Sequence, residues 1–375
     1  MIAKKIIFGK KVSIDISDMP RNLLFLEEMK NYPDYESEGV DLEIIYKKDI
    51  DLTAGLLSVN PSHHWTMVDG MIIDFKMCRV RFYFSNKVLR RIDFHVQEGR
   101  IPKIIPKAIG LFLSRAYNVQ CSSRTDYIAQ IFHQSVLVPS AMLSPGTAIV
   151  HCSGVVTKDN KLVLLGGTGG VGKTSMEMEL CLNDEASFFA DDIAVVDEKG
   201  SYHPNLCHPK IYSYNVTGEK ELERSVLKGR GFLNRLHWAV KAKLNPSSVL
   251  RTVDPAVFYG EVTKSNRKAN VFLQLFRCDV KSISIETISA KDAARSNAYV
   301  IQTEYEDLFS HLYWEAFNRD GIDKEAVFNI PMGLTHTQDV VEKSLEGCDC
   351  YLVKLPLKID HTEYKTQMRE LIETL

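Results

Sequence analysis

β-Branched and polar residues are mixed over residues 5–16, 40–46 and 71–84, and in the last of these Val80, Phe82 and Phe84 share one face of a period-two pattern. That is the pattern of half-buried β-strands. Residues 90–96 read as one more strand, ended by Gly99. The apolar spacing turns helical over residues 106–116 and 126–138, and Pro139, Pro145 and Gly146 then punctuate the chain. A strand-rich N-terminal domain with a helical end is expected over residues 1–145, and a second domain over residues 146–375.

The second domain begins with two apolar runs, residues 148–157 and 162–165, separated only by Lys158, Asp159, Asn160 and Lys161. So short a polar link joins neighbours as an antiparallel hairpin. Residues 172–182 have helical spacing, and residues 187–190 form a short strand running into Asp191 and Asp192. Strand character resumes at 193–196 and is turned by residues 198–200. Further strands are expected at 270–276, 282–288 and 351–356, a helix capped by Ser289, and a terminal helix over 363–375. The fold class expected is α/β (α+β): a mixed sheet with an antiparallel hairpin leading into a glycine-rich loop, beside the strand-rich N-terminal domain. The chain has no internal repeat and no low-complexity segment.

Composition narrows the class. With 375 residues, 45% of them hydrophobic and 25% charged, the chain reads as globular and long enough for a sizeable core. A formal net charge of -2 gives no overall attraction to nucleic acid or membrane, so neither is an expected partner. The charged start is followed by no long apolar stretch, which speaks against a secretory signal. The most apolar segment, residues 104–113, is broken by Pro106 and Lys107 and is too short to span a bilayer. Of the eight cysteines only Cys348 and Cys350 are close, and no CxxC pair is present. Reduced thiols in a cytoplasmic protein are the expectation. A homo-oligomer is compatible with all of this and demanded by none of it.

The chemistry is carried by Gly167, Thr168, Gly169, Gly170, Val171, Gly172, Lys173 and Thr174, a complete P-loop between an apolar strand and a helix. Its glycines permit the tight path that lets successive N–H groups surround phosphate oxygens. The helix start, including Ser175, adds the positive end of its dipole. Lys173 supplies a charge to the β- and γ-phosphates, and Thr174 offers a hydroxyl to Mg²⁺. Gly167, Gly169 and Gly172 also spell the GxGxxG of dinucleotide sites, with Asp191 at about the right distance. Lys173 and Thr174 have no role in that fingerprint, and a parallel βαβ unit would not begin with a hairpin.

Asp191 and Asp192 end a strand beyond the P-loop helix, where a carboxylate can reach Mg²⁺ directly or through water. Adjacent residues of a regular strand face opposite ways, so the two are expected to differ in role unless the strand ends there. One could hold metal or water and the other accept a proton from an attacking hydroxyl. The bland alternative is a turn or cap pair. His151 lies on the strand before the hairpin turn; a histidine on an apolar strand is most often a satisfied interior group.

Together Val150 to Val156, Leu162 to Thr174 and Phe189 to Asp197 resemble the HPr kinase/phosphorylase family and its wider relatives. The resemblance spans about residues 148–200, is weaker to about residue 300 and at the C-terminus, and does not extend to residues 1–145. It implies a nucleotide fold similar to that of phosphoenolpyruvate carboxykinase, ATP and Mg²⁺ as cofactors, and transfer of the γ-phosphoryl group to a hydroxyl acceptor. It gives Asp191 the proton-handling role, Asp192 the metal side together with Thr174, and makes His151 and Lys173 active-site residues. The bifunctional members carry a Glu directly after the P-loop Ser/Thr. Here that position is Ser175, and Glu177 is out of register. The departure speaks against phosphorylase activity and against HPr itself as acceptor.

Residues 224–251 hold Lys228, Arg230, Arg235, Lys241 and Lys243 and no acidic residue. They are either a solvated helical face or part of a basic lid or insertion over about 216–256, with Arg230 the first choice for reaching a phosphoryl group. Three functions are therefore open: a kinase acting on a small molecule, peptide or protein serine; a nucleotide-binding ATPase or switch without an acceptor; and a carboxykinase-like enzyme.

Overall fold

A computed structural model describes residues 1–19, 24–97, 124–325 and 330–375. The expected helix at 106–116, the apolar segment 104–113 and Gly99 lie outside them. The architecture is mixed α/β, with helices packed on several sheets.

The N-terminal part is an eight-stranded sheet. Its strands are β1 (Ile2–Ile7), β2 (Lys10–Asp15), β3 (Leu42–Tyr46), β4 (Leu56–Val59), β5 (His64–Met67), β6 (Gly70–Asp74), β7 (Cys78–Ser85) and β8 (Val88–Val96), in the order β1-β2-β3-β8-β7-β6-β5-β4. Two segments expected as single strands prove to be hairpins. Residues 5–16 fold back at Phe8 and Gly9, both at positive φ (51° and 76°), in the two-residue turn whose twist suits paired strands. Residues 71–84 are divided between β6 and β7, which pair antiparallel. The helical spacing at 126–138 belongs to a helix Arg124–Phe132, a single π-helical turn His133–Leu137 and a short helix Val138–Met142. Pro139 has no N–H and its ring crowds the carbonyl four residues back, so the backbone widens one turn before it.

The second part contains β9 (Thr147–Val150), β10 (Cys152–Thr157), β11 (Leu162–Gly166), β12 (Ala186–Ala190), β13 (Ala194–Asp197), β14 (Tyr202–His203), β15 (Lys210–Tyr212), β16 (Leu250–Thr252), β17 (Ala269–Cys278), β18 (Ser284–Thr287) and β19 (Asp349–Pro356). The central sheet has the order β12-β10-β11-β17-β19-β18. β10 pairs antiparallel with β11, as the short polar link predicts, while β17 runs parallel to both β11 and β19. The sheet is therefore mixed. Ser289 caps the helix Ala290–Glu304, and the last helix is His361–Glu373.

The run 148–157 is not one strand. It changes sheets at His151: β9 pairs with β13 in a separate three-stranded sheet, and β10 stays in the central one. The neighbouring segment does the same between β12 and β13, at residues 191–193. Asn297 stitches the first break, accepting from the His151 backbone N–H (3.0 Å) and donating to the Ile149 carbonyl (3.0 Å). Two adjacent strands thus leave one sheet for another at the same level, and the corner they form holds His151, Asp191 and Asp192. The surrounding core is continuous with that of the N-terminal sheet: Phe132 packs on Phe25 and Phe94, with ring centroids 4.9 and 5.4 Å away.

Candidate functional site

The loop between β11 and the helix Lys173–Leu182 is shaped by its glycines. Gly167, Gly170 and Gly172 have φ of 135°, 77° and 113°. A Cβ on Gly167 would lie 2.7 Å from the Leu275 carbonyl oxygen, and one on Gly172 would lie 2.6 Å from the Tyr364 ring. Nothing lies within 4 Å of a Cβ on Gly170, so the outer rim of the loop is open. The Tyr364 hydroxyl donates to the Gly172 carbonyl (3.1 Å), tying the loop to the last helix. The Gly169 N–H donates to Glu304 Oε1 (3.2 Å). A loop amide thus already points at an anionic oxygen, as one directed at phosphate must.

Lys173 is buried and bends back over the loop. Its Nζ donates to the carbonyls of Gly167 (2.8 Å) and Thr168 (2.9 Å) and lies 3.1 Å from His151 Nε2. Burial lowers the pKa of both side chains; for His151, to about 4, with the Lys173 charge adding to the effect. His151 is therefore neutral at physiological pH and accepts at Nε2.

Thr174 Oγ1 donates to Asp191 Oδ1 (3.0 Å), which also accepts from Ser153 Oγ (3.0 Å), while Asp191 Oδ2 receives the Lys210 N–H (3.3 Å). Burial, with the neighbouring Asp192 charge, raises the Asp191 pKa. Asp192 takes the opposite course. Burial alone would raise it, but the Lys210 ammonium, His151 and His133 outweigh that and hold it below the usual carboxylate range. Lys210 Nζ reaches Asp192 Oδ2 at 3.0 Å. Because β12 ends at Ala190 and Asp192 takes φ 72°, the strand rule that would send the two carboxylates to opposite faces no longer applies, and both line one cavity.

Gly167 to Thr174, His151, Asp191 and Asp192 are thus one cluster. Ser175 faces away: its hydroxyl is buried and accepts from Asn215 Nδ2 (2.9 Å), leaving only its backbone for the loop. Glu177 is buried under Tyr259, whose hydroxyl donates to it (2.7 Å), and burial, then the Asp191 charge, pushes its carboxyl well up. Arg230 is held by Asp126 (2.7 Å) and the Thr252 carbonyl (2.6 Å), so it anchors the basic stretch and is not aimed at the loop. Ser153 joins the site from the run that already holds His151, and Asn205, Lys210, Asn297, Glu304 and His133 join it from positions with no local motif. Only the topology brings them in.

The donor set fits a nucleotide's phosphates: an open glycine rim, a lysine over it and a helix start behind it. Among the described residues no group of three or more His, Cys, Asp or Glu could hold a metal ion. A Mg²⁺ here would share Thr174 and an Asp with phosphate oxygens, which is how that ion is usually held. Among the described residues, no helix is long and apolar enough to cross a membrane.

No protein-family model matches this chain, and no curated protein matches it. Among solved structures, the Hpr(Ser) kinase/phosphatase from Coxiella burnetii is similar over 60% of this chain and 99% of its own, with 12% identity and a TM-score of 0.26. A likeness that distant adds nothing to the reading of the site, which rests on the residues themselves.

Proposed function

We propose that the chain is an ATP- and Mg²⁺-dependent kinase of the HPr-kinase-like kind, transferring a γ-phosphoryl group to a hydroxyl acceptor. The observation that carries this is the bond from Thr174 to Asp191. It joins the P-loop motif to the carboxylate pair in one cluster, with Lys173 over the loop and Asp192 on the cavity side. A pure nucleotide switch has no need of a second carboxylate facing a cavity.

Lys173 and the loop amides bind and orient the phosphates. Mg²⁺, when bound, neutralises charge on the β- and γ-phosphates. A hydroxyl has one donor and two lone pairs, so Thr174 can donate to Asp191 and still offer oxygen to a cation. That bond supports giving Asp191 to the nucleotide side, although both carboxylates line the cavity, and Asp192, held by Lys210 and with no bond to the P-loop, is the one left for the acceptor. The hydrogen bonds therefore favour Asp192 as the acceptor's neighbour and Asp191 as the group that orients Thr174, the reverse of the order the resemblance implies. The loose transition state of phosphoryl transfer asks little basicity of that neighbour. His151 keeps Lys173 in place from the β9–β10 corner. Incubation with γ-labelled ATP, Mg²⁺ and cell extract tests the reading: label in an acceptor supports it, and release of phosphate alone supports an ATPase.

A further inference from the structure

The N-terminal part of the chain supplies part of the lining of the cavity before the carboxylate pair. Glu28, from the turn of helix Leu24–Met29, and His133, the first residue of the π-helical turn, face Asp192, Asn205, Lys210 and Thr252 across it. It has room for about 20 Å³, enough for one water-sized group such as a hydroxyl and far too little for a nucleotide.

The hydrogen bonds fix the state of His133. Asn205 accepts at Oδ1 from the Tyr32 hydroxyl (3.0 Å) and the Cys207 N–H (3.4 Å), and donates from Nδ2 to the Asp191 carbonyl (2.9 Å). Its amide orientation is thereby set, so Nδ2 is also the donor to His133 Nε2 (3.1 Å). The neutral ring then carries its proton on Nδ1. Burial, with the Lys210 charge, lowers the His133 pKa to about 4, so the ring is neutral at physiological pH. Nδ1 is buried, makes no hydrogen bond among the described residues, and points across 4.0 Å at Asp192 Oδ2. That gap is too long for a direct bond. A hydroxyl inserted beside it, accepting from Nδ1–H and donating to the carboxylate, would satisfy both groups.

We propose that His133 is a catalytic residue that seats the acceptor: its Nδ1–H binds the oxygen of an uncharged alcohol whose proton passes to Asp192. The alcohol O–H bond breaks and its oxygen bonds to the γ-phosphorus. The bond from that phosphorus to the bridging oxygen breaks, and the nucleoside diphosphate leaves with the electron pair. An uncharged acceptor end is indicated because Lys210, the lysine lining the cavity, is already neutralised by Asp192. The N-terminal part of the chain thus completes the active site, through His133 directly and through Tyr32 by way of Asn205.

The inference rests on the kinase reading, and the test separates the two. Asn at position 133 returns an N–H near Nδ1, whereas Gln returns one near Nε2 only. Transfer of γ-label into the extract fraction labelled by the unmodified protein is measured over a dilution series of that fraction. Nucleotide affinity and thermal melting are followed in parallel. His133→Gln should lose about 10²-fold in transfer, with nucleotide affinity within about twofold, and His133→Asn should recover most of the loss. Full transfer by His133→Gln overturns the seat and leaves the kinase standing. Equal losses in both variants, with nucleotide affinity falling too, make His133 structural and also overturn it. If the unmodified protein labels nothing, the kinase reading itself falls and takes this inference with it.

Discussion

Lys173 Nζ lies 3.1 Å from Nε2 of His151, and because an ammonium can only donate, the imidazole must accept. The corner between β9 and β10 therefore holds the lysine over the loop carbonyls, where a phosphate would draw it outward. Lys173→Ala should remove a charge-assisted contact of about 1.5–3 kcal/mol, or roughly 10- to 150-fold in ATP affinity. Calorimetry checks this. Unchanged ATP binding in the variant would mean that the glycine loop is not the nucleotide site.

The same loop makes a prediction about shape. At Gly172 the φ of 113° and the Tyr364 ring together exclude a side chain. Gly172→Ala should cost about 1–3 kcal/mol of stability through backbone strain and, on the proposed function, should weaken ATP binding, since Gly172 caps the helix that follows the loop. Tyr364→Phe removes only the hydroxyl's bond to the Gly172 carbonyl and should cost about 0.5–1.5 kcal/mol. Thermal melting ranks the two, and a Gly172→Ala protein that melts and binds normally contradicts the described loop.

Glu28 gives the chain a pH dependence. Burial, then the Asp126 charge, pushes its carboxyl from 4.5 up to about 8, against Lys210, the Thr252 hydroxyl and Arg230. The folded state keeps a proton that the unfolded chain gives up near 4.5, so the stability it contributes is fully present below that pH and is lost as pH rises through about 8. Glu28→Gln cannot ionise. Its stability relative to the unmodified chain should rise between pH 5 and 8 by an amount on the order of a few kcal/mol. Denaturant midpoints at three pH values measure this, and a pH-independent difference would show that Glu28 ionises normally.

Much of the second half was legible because its signals are local. The antiparallel pairing of the runs 148–157 and 162–165, realised from Cys152 onward, the helix after the loop, Ser289 as cap and the strand ending at Ala190 follow from spacing and residue type alone. The strand breaks were not, because β-branched and polar residues stand on both sides of the two-residue turn at Phe8 and Gly9, and a strand that changes sheets at His151 keeps its apolar character on both sides. His133 and Asn205 were invisible for a different reason. Neither belongs to a motif, and their meaning comes from a contact 72 residues apart in sequence. Arg230 illustrates the converse: its basic surroundings suggested a phosphate ligand, but Asp126, more than a hundred residues earlier, holds it.

The central claim is that the paired carboxylates turn a nucleotide site into a kinase. Its most direct test is phosphoryl transfer from γ-labelled ATP, with ATP affinity and Mg²⁺ dependence measured alongside, in Asp191→Asn and Asp192→Asn. Both variants keep Lys173 and the loop amides, so both should bind ATP. Loss of the proton acceptor should lower transfer by about 10²–10⁴-fold. By the hydrogen bonds that loss belongs to Asp192→Asn, and Asp191→Asn should chiefly shift the Mg²⁺ dependence; the opposite pairing would restore the order that the resemblance implies. Full transfer in both variants would contradict the two-carboxylate mechanism and leave the loop a binding site alone.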